Sequence, residues 1–321
     1  MNTHLRSIAA GQGGVVTRAQ ALKAGYAEAD IDDLVRRKEW VSLRRGAYME
    51  REVHDALTSE ARHLALVHAV TRSLRKPTVV SHVSAAVVHG LPTWGLDLSE
   101  VHVTRPELHS PRHEAGVHHH AGDLRRDETI EVGGVRVTAL PRTLIDVARV
   151  VPFEPSVVVA DAALRADTDI KQQALARLDT MRDWQGSRNA GAVLSFADGR
   201  SESVGESRCR VLFDDVGLPA PDLQREFHAP NGALIGRTDF YFEEQRTIGE
   251  FDGKGKYLRA MDPDDDSGEV VWREKKREDR LRELGYEVVR VITPDLDLPT
   301  QVAARFRRAF RRAEELGGRV A

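Results

Sequence analysis

Apolar positions along the first two thirds of the chain recur mostly at helical spacing, broken by residues that favour turns. Leu5, Ile8 and Ala9 share one helix face, and Gly11-Gln12-Gly13-Gly14 stops it. Thr17 is a good N-cap for a helix over 18–24, and Gly25 stands where a helix commonly exits. Ile31, Leu34 and Val35 predict a third helix over 29–38, with acids at its start and bases at its end as the helix dipole favours. Residues 40–43 and 47–48 then predict two short strands around the basic tip Arg44-Arg45-Gly46. Leu57, Ala61, Leu64, Ala65 and Val67 predict a long helix over 56–75, closed by Pro77, and Ser81 and Gly90 bracket the next one. Alternation marks strands at 101–104 and 116–120, and Val132-Gly133-Gly134-Val135 is a hairpin turn. Pro141 opens a helix carrying Arg142 and Asp146 four residues apart, an ion pair that packs it against the sheet. The Ala-rich stretch 155–193 predicts helices acting as a spacer, and Gly199 sets a domain boundary near 195–200.

The pattern changes character in the last third. Asp239 opens the apolar run Phe240-Tyr241-Phe242, Glu243-Glu244-Gln245-Arg246 supplies a turn, and 247–252 returns as a second strand. Side chains alternate faces along a strand, so Glu250 and Asp252 point the same way, with Phe251 opposite. Asp239, at the start of the first strand, can face the end of the second. Three converging carboxylates repel one another unless a cation separates them, and an oxygen-only set suits a hard ion, Mg²⁺ or Mn²⁺. A last helix over 300–316 turns Val302, Phe306, Ala309 and Phe310 inward and shows Arg305, Arg307, Arg308, Arg311 and Arg312 outward.

Two resemblances attach to these patterns. Asp239, ten intervening residues, then Glu250-x-Asp252 followed by Lys254 and Lys256, resembles the PD-(D/E)xK nuclease core, in the branch similar to very-short-patch-repair endonucleases. The resemblance covers about 201–312. It implies metal-dependent phosphodiester hydrolysis, with Asp239, Glu250, Asp252, Lys254 and Lys256 as catalytic candidates and Glu206, Asp239 and Glu250 as metal ligands. Lys275 and Lys276, on the helix that follows, are candidates for nucleic-acid contact. The family's Glu-x-Lys is here Glu250-Phe251-Asp252, so Lys254 or Lys256 replaces the lysine from a shifted position, or the site works without it, or the domain is inactive. The N-terminal helices and hairpin resemble the winged helix of AbiEi-family type IV antitoxins, as do Ser81-His82-x-Ser84-Ala85-Ala86 and Pro141-Arg142-Thr143-Leu144-Ile145-Asp146. That resemblance extends to about residue 170 and implies transcriptional repression through DNA binding, with a cognate toxin or other protein as a further partner. Glu28, Asp30, Asp32 and Asp33 at the leading end of the third helix would repel phosphate. Arg36, Arg37, Lys38, Arg44 and Arg45 keep DNA contact open, through the wing and the end of that helix.

Bulk properties narrow the choice. A chain of 321 residues with 41% hydrophobic content holds two or three cores, and a net charge of −3 means that nucleic-acid binding must come from local patches. The single cysteine, Cys209, excludes an intramolecular disulfide and suits a reducing cytoplasm. No apolar span of ~20 residues suggests a membrane. Histidines 82, 89, 102 and 118–120 lack zinc-finger spacing, and three consecutive strand histidines alternate faces, so a metal site is not expected there.

The expected fold class is α+β multidomain: a winged helix-turn-helix over 1–50, an antitoxin-like α/β domain with a helical connector over 51–195, and a restriction-endonuclease-like α/β domain over 196–321. Retention of the acids in one tight stretch favours a metal-dependent DNA endonuclease positioned by its N-terminal region. The alternatives are an antitoxin-type regulator with an inactive nuclease-like domain, and a protein-interaction module.

Overall fold

Side-chain caps fix the first elements. In the computed structural model, which describes residues 1–74, 78–253 and 267–317, the Asn2 side chain accepts from the Leu5 amide to start α1 (Thr3–Ala10). Thr17 and Gln20 form a capping box for α2 (Arg18–Lys23). After α3 (Glu28–Arg36), β2 (Trp40–Arg44) and β3 (Ala47–Glu50) form an antiparallel hairpin that β1 (Val16–Thr17) joins in the order β1-β3-β2. Leu5, Val16, Ala21, Ile31, Trp40 and Tyr48 close the core between helices and sheet. The other face of β3 is apolar as well. Ala47 and Met49, with Val15, pack on Ala65 and Ala69 of α5 (Ser59–Ser73), which follows the short α4 (Arg51–Asp55). This N-terminal fold therefore shares apolar burial with the segment after it, and both belong to one compact unit, Met1–Ala197.

That unit is built on a six-stranded mixed sheet. Its strands are β4 (Val79–Val80), β5 (Val101–Arg105), β6 (Arg112–Glu114), β7 (Val117–Ala121), β8 (Thr129–Val132) and β9 (Val135–Thr138), in the spatial order β6-β7-β5-β4-β9-β8. The β5–β7 and β4–β9 pairs are parallel and the rest antiparallel. Between β4 and β5 runs α6 (His82–Val88), and after β9 come α7 (Leu140–Val150), α8 (Phe153–Ala166), α9 (Asp169–Asp179) and α10 (Ser187–Phe196). The stretch expected to act as a spacer is packed instead. Helix α8 buries Val157, Val158, Val159, Ala160, Ala163 and Leu164, more than one face of a spacer would, and α9 and α10 pack on α7.

Inside α7, Arg142 and Asp146 form the expected ion pair, but within the core: their exposures are 2% and 0%. Arg142 Nε donates to both Asp146 oxygens at 3.0 and 2.9 Å, and its Nη1 reaches the Asp123 carbonyl at 2.8 Å and Glu128 at 3.3 Å. Burial pushes the Asp146 carboxyl up, against the pull of Arg142.

The second compact unit spans Asp198–Ala321. Helix α11 (Val204–Asp215) precedes a meander of β10 (Asp222–His228), β11 (Leu234–Phe242) and β12 (Thr247–Asp252), all antiparallel. Then α12 (Ser267–Glu283) leads to β13 (Glu287–Ile292), which lies parallel to β12, and α13 (Pro299–Gly317) closes the unit. The sheet order is β10-β11-β12-β13. One face buries Phe240, Phe242, Val289 and Val291 against Phe213 of α11 and Phe306 of α13, and Phe213 meets the rings of Phe240 and Phe306 at 5.1 and 5.0 Å. The other face packs Phe227, Tyr241 and Ile248 against Leu281 of α12. Pro77, Lys254, Lys256 and positions 261–266 of the acidic run lie outside the described residues. Among those described, no helix is long and apolar enough to cross a membrane.

Burial of structural histidines gives the first unit a pH dependence. His63, His68 and His89 are each pushed below the usual imidazole range by burial. The unfolded chain takes up their protons near pH ~6.5 while the folded unit does not, so their contribution to stability is full above about pH 6.5 and is lost as pH falls. The urea midpoint of the first unit is expected to drop between about pH 7.5 and pH 5.5, and His89→Gln to reduce that drop. An unchanged drop would show that this site is not part of it.

Candidate functional site

The hairpin β11–β12 carries the predicted acids on one face, as its register dictates, but Asp239, Glu250 and Asp252 do not bring three ligand oxygens within 4.8 Å of one another. Phe240 pairs with Gly249, and continuing that antiparallel ladder sets Asp239 opposite Glu250. By parity Asp239, Glu250 and Asp252 share the face of Tyr241 and Ile248, toward α12. Asp239 Oδ2 accepts from the Phe251 amide at 2.8 Å, so it extends the strand ladder with a side chain. Glu250, 9% exposed, accepts from Arg277 of α12, and Arg290, its register partner on β13, lies 3.9 Å away. Asp252 is half-buried, and its Oδ1 is buried with no hydrogen-bond partner among the described residues.

Glu206 sits on the first turn of α11 at 7% exposure. It accepts from the Glu202 amide at 2.8 Å, Ser203 Oγ at 2.8 Å and Gln224 Nε2 at 2.9 Å, while Ser203 Oγ accepts from the Glu206 amide. This is helix-start chemistry, and Ser203-x-x-Glu206 is the sequence signal for it. Lys254 and Lys256, expected to supply the ammonium, lie outside the described residues. No group of three metal-ligating side chains within 4.8 Å of one another includes Asp239, Glu250 or Glu206 among the described residues.

The expected nucleic-acid contacts separate by environment. Arg36, Arg37, Lys38 and Arg45 are exposed, whereas Arg44 is half-buried, with Nη1 unpartnered among the described residues. Burial lowers the Arg44 pKa while Glu114 opposes the shift. The acids of α3 are answered locally. Arg18 pairs with Glu28 at 3.3 Å and with Asp32, Asp30 accepts from the Ala27 amide at 2.8 Å, and Asp33 pairs with Arg36 and, at 4.0 Å, with Arg37. Their repulsion of phosphate is weaker than bare carboxylates would give. In the second unit Lys275 and Lys276 are exposed, and Lys276 Nζ stands 3.4 Å from the ring centre of Trp272, itself 55% exposed. On α13, Arg305 pairs with Asp295 and Arg312 with Glu287, both at 2.7 Å, and Arg307 donates to the Val216 carbonyl at 2.8 Å. Less of that arginine face is free than its sequence suggests.

One constellation went unanticipated. His118 and His120 are two apart on β7 and share a face, and the parallel pairing of β7 with β5 sets His102 beside His118. Ligand atoms of His102, His118 and His120 all lie within 4.8 Å of one another. His102 Nδ1 stands 3.0 Å from His120 Nε2, and the rings of His118 and His120 stack at 3.9 Å. The His82 ring stacks on His120 at 3.5 Å from α6, whose first residue it is, at φ 52°. Burial, reinforced by neighbouring imidazoles, pushes His102 down to about 4 and His120 to about 2. The signal was His-x-His on a strand. Its partner across a non-local parallel pair was not readable.

Residues 5–51 match the family described as transcriptional regulator, AbiEi antitoxin. The N-terminal region thus carries an antitoxin and transcriptional-regulator domain of the AbiEi type. Over 187 residues the chain is 32% identical to two Mycobacterium tuberculosis proteins, "Uncharacterized protein MT2308" of strain CDC 1551 / Oshkosh and "Uncharacterized protein Rv2248" of strain H37Rv. The aligned stretch covers 58% of this chain and 66% of each relative, just under two thirds of their length.

The Glu206 contacts yield a discriminating expectation. Glu206→Ala strands three part-buried donors and should destabilise metal-free protein by about 1 kcal/mol or more in urea unfolding. A carboxylate kept only to bind metal would show no loss, or a gain, on removal from the metal-free protein.

Proposed function

We propose that this chain is a DNA-binding regulator of the antitoxin type, whose N-terminal domain contacts phosphate through Arg45 on the β2–β3 turn and through Arg36, Arg37 and Lys38 at the end of α3. The observation that carries this reading is the match of residues 5–51 to the AbiEi regulator family. The local pairing of the α3 acids with Arg18 and Arg36 supports it, because a major obstacle to phosphate approach is reduced. Arg44, half-buried, is given no part in that phosphate surface. A cognate toxin is the second partner class that the family implies.

Gel-shift titrations on DNA upstream of the gene, across a salt series, test this. Each phosphate contact contributes a slope of about −0.9 in log K against log salt. Arg45→Ala is expected to weaken binding and flatten the slope by roughly one such unit, and Arg44→Ala to change stability more than the slope. An unaltered slope in Arg45→Ala together with Arg36→Ala would remove this surface from the contact.

A second reading, metal-dependent phosphodiester hydrolysis by the second unit, is favoured by one observation, the buried Oδ1 of Asp252, which has no hydrogen-bond partner among the described residues and shares a strand face with Asp239 and Glu250. The order of helix, three-strand meander, helix and parallel strand suits the resemblance to the PD-(D/E)xK core. The oxygen-only donor set fits Mg²⁺ or Mn²⁺, which Asp239 and Glu250 would hold and which would activate water for attack on phosphorus. Against it, Glu250 is engaged by Arg277, and Glu206 by its own helix start. A plasmid-nicking assay with Mg²⁺ and Mn²⁺ decides: metal-dependent cleavage abolished in Asp239→Ala supports hydrolysis, and its absence in the parent chain leaves the regulator reading alone.

A further inference from the structure

We propose that His102, His118 and His120 form a binding site for a divalent transition-metal ion of the Zn²⁺ class on the six-stranded sheet of the first unit. The inference is independent of the DNA-binding and hydrolysis readings, because it rests on different residues and a different ligand chemistry.

The geometry is set by the sheet. A strand repeats its facing every second residue, so His118 and His120 project from one side of β7, and the parallel register puts His102 of β5 directly beside His118. Two nitrogens each about 2.0–2.1 Å from Zn²⁺ at a tetrahedral angle stand about 3.3–3.4 Å apart. His102 Nδ1 and His120 Nε2 are already 3.0 Å apart, and the ligand atom of His118 lies within 4.8 Å of both, so a small ring rotation closes the set. A proton shared between His102 and His120 accounts for two of the rings but gives His118 nothing to do. An ion uses all three.

The surroundings hold the rings in place. His82 stacks on His120 with planes 12° apart. The His102 amide donates to Ser84 Oγ at 2.8 Å, and Ser84 Oγ in turn lies 2.8 Å from His63 Nε2, whose Nδ1 donates to the Leu98 carbonyl. Because that carbonyl can only accept, His63 carries its proton on Nδ1 and accepts from Ser84, which fixes the strand bearing His102. Three imidazoles are a nitrogen donor set suited to Zn²⁺, Ni²⁺ or Cu²⁺ and poorly suited to Mg²⁺. A fourth ligand is available from water or from His113, whose ring lies 3.9 Å from that of His118 and whose Nδ1 is held by Glu100 at 2.7 Å.

The test uses the full chain with a histidine-free tag, stripped with chelator and titrated with Co²⁺ and Zn²⁺. Expected are one ion per chain, visible d–d absorption from Co²⁺, and a rise in thermal midpoint with Zn²⁺. His118→Asn and His102→Asn should weaken binding by about 100-fold or more, at least what loss of an outer-shell partner costs. His119→Asn, altering the side chain on the opposite face of β7, should bind as the parent does. If the deeply buried His120→Asn fails to fold, half-buried His118→Asn carries the ligand test. A parent chain that takes up no ion overturns the proposal, and so does an affinity in His118→Asn and His102→Asn equal to that of the parent.

Discussion

The guanidinium of Arg142 is the constraint on which the first unit depends. It is buried within α7, where Nε donates to Asp146 on its own helix and Nη1 to the Asp123 carbonyl after β7 and to Glu128 ahead of β8. Glu128 is in turn gripped by Arg177 of α9, so one charge cluster ties a strand end, a turn and two helices. Trp184 covers it, 5.2 Å from the Arg142 guanidinium and 4.9 Å from that of Arg149. Removing one partner from such a cluster strands the others without water, at a cost of roughly 3–5 kcal/mol, whereas an apolar replacement of the whole set is often neutral. The cluster therefore fixes the arrangement of the elements more than it adds stability. It also bears on the histidines: burial first, then His120 and His102, disfavour a proton on His82, which walls one side of the three-imidazole group, and Arg149 and Arg142 add to the same effect.

In the second unit the same physics acts on acids. Asp239, Glu250 and Asp252 share one sheet face by parity, and a sheet cannot avoid that once the hairpin register is set. Two of the three have found donors in the fold: a strand amide for Asp239 and Arg277 for Glu250. Tight packing holds the frame around them. A Cβ on Gly205 would stand 1.9 Å from the Phe251 ring, so only glycine lets α11 approach β12 this closely. Glu250 is thus balanced by a guanidinium of the fold, whereas the buried Asp252 Oδ1 has no hydrogen-bond partner among the described residues.

Local chemistry was legible in the sequence and long-range pairing was not. Thr17 with Gln20, the hairpin from Asp239 to Asp252, and the Arg142–Asp146 pair all lie within one or two turns of chain, where spacing fixes geometry. What failed depended on partners far away in sequence. The helices after Pro155 read as a spacer because alanine and valine suit either an isolated or a buried helix, and only their packing on α7 decides. Arg44 and Arg45 look equivalent, yet the strand turns one inward and the other out. The acids at the start of α3 looked repulsive until Arg18, ten and fourteen residues earlier, was seen to face Glu28 and Asp32.

The histidines show why parity must be applied across strands as well as along one. Three in a row alternate faces, and that argues against convergence only if the neighbouring strand adds nothing. Here His119 is turned away, and its place beside His118 and His120 is taken by His102, fifteen or more residues earlier in the chain. A parallel neighbour keeps a constant offset, so a single histidine on it lands next to the i, i+2 pair wherever the register allows. The same register that buries Val101, Val103 and Val117 in the sheet core thereby assembles the imidazoles on the opposite side. Burial of the apolar face and assembly of the polar one are one event, and a slip of one residue would destroy both.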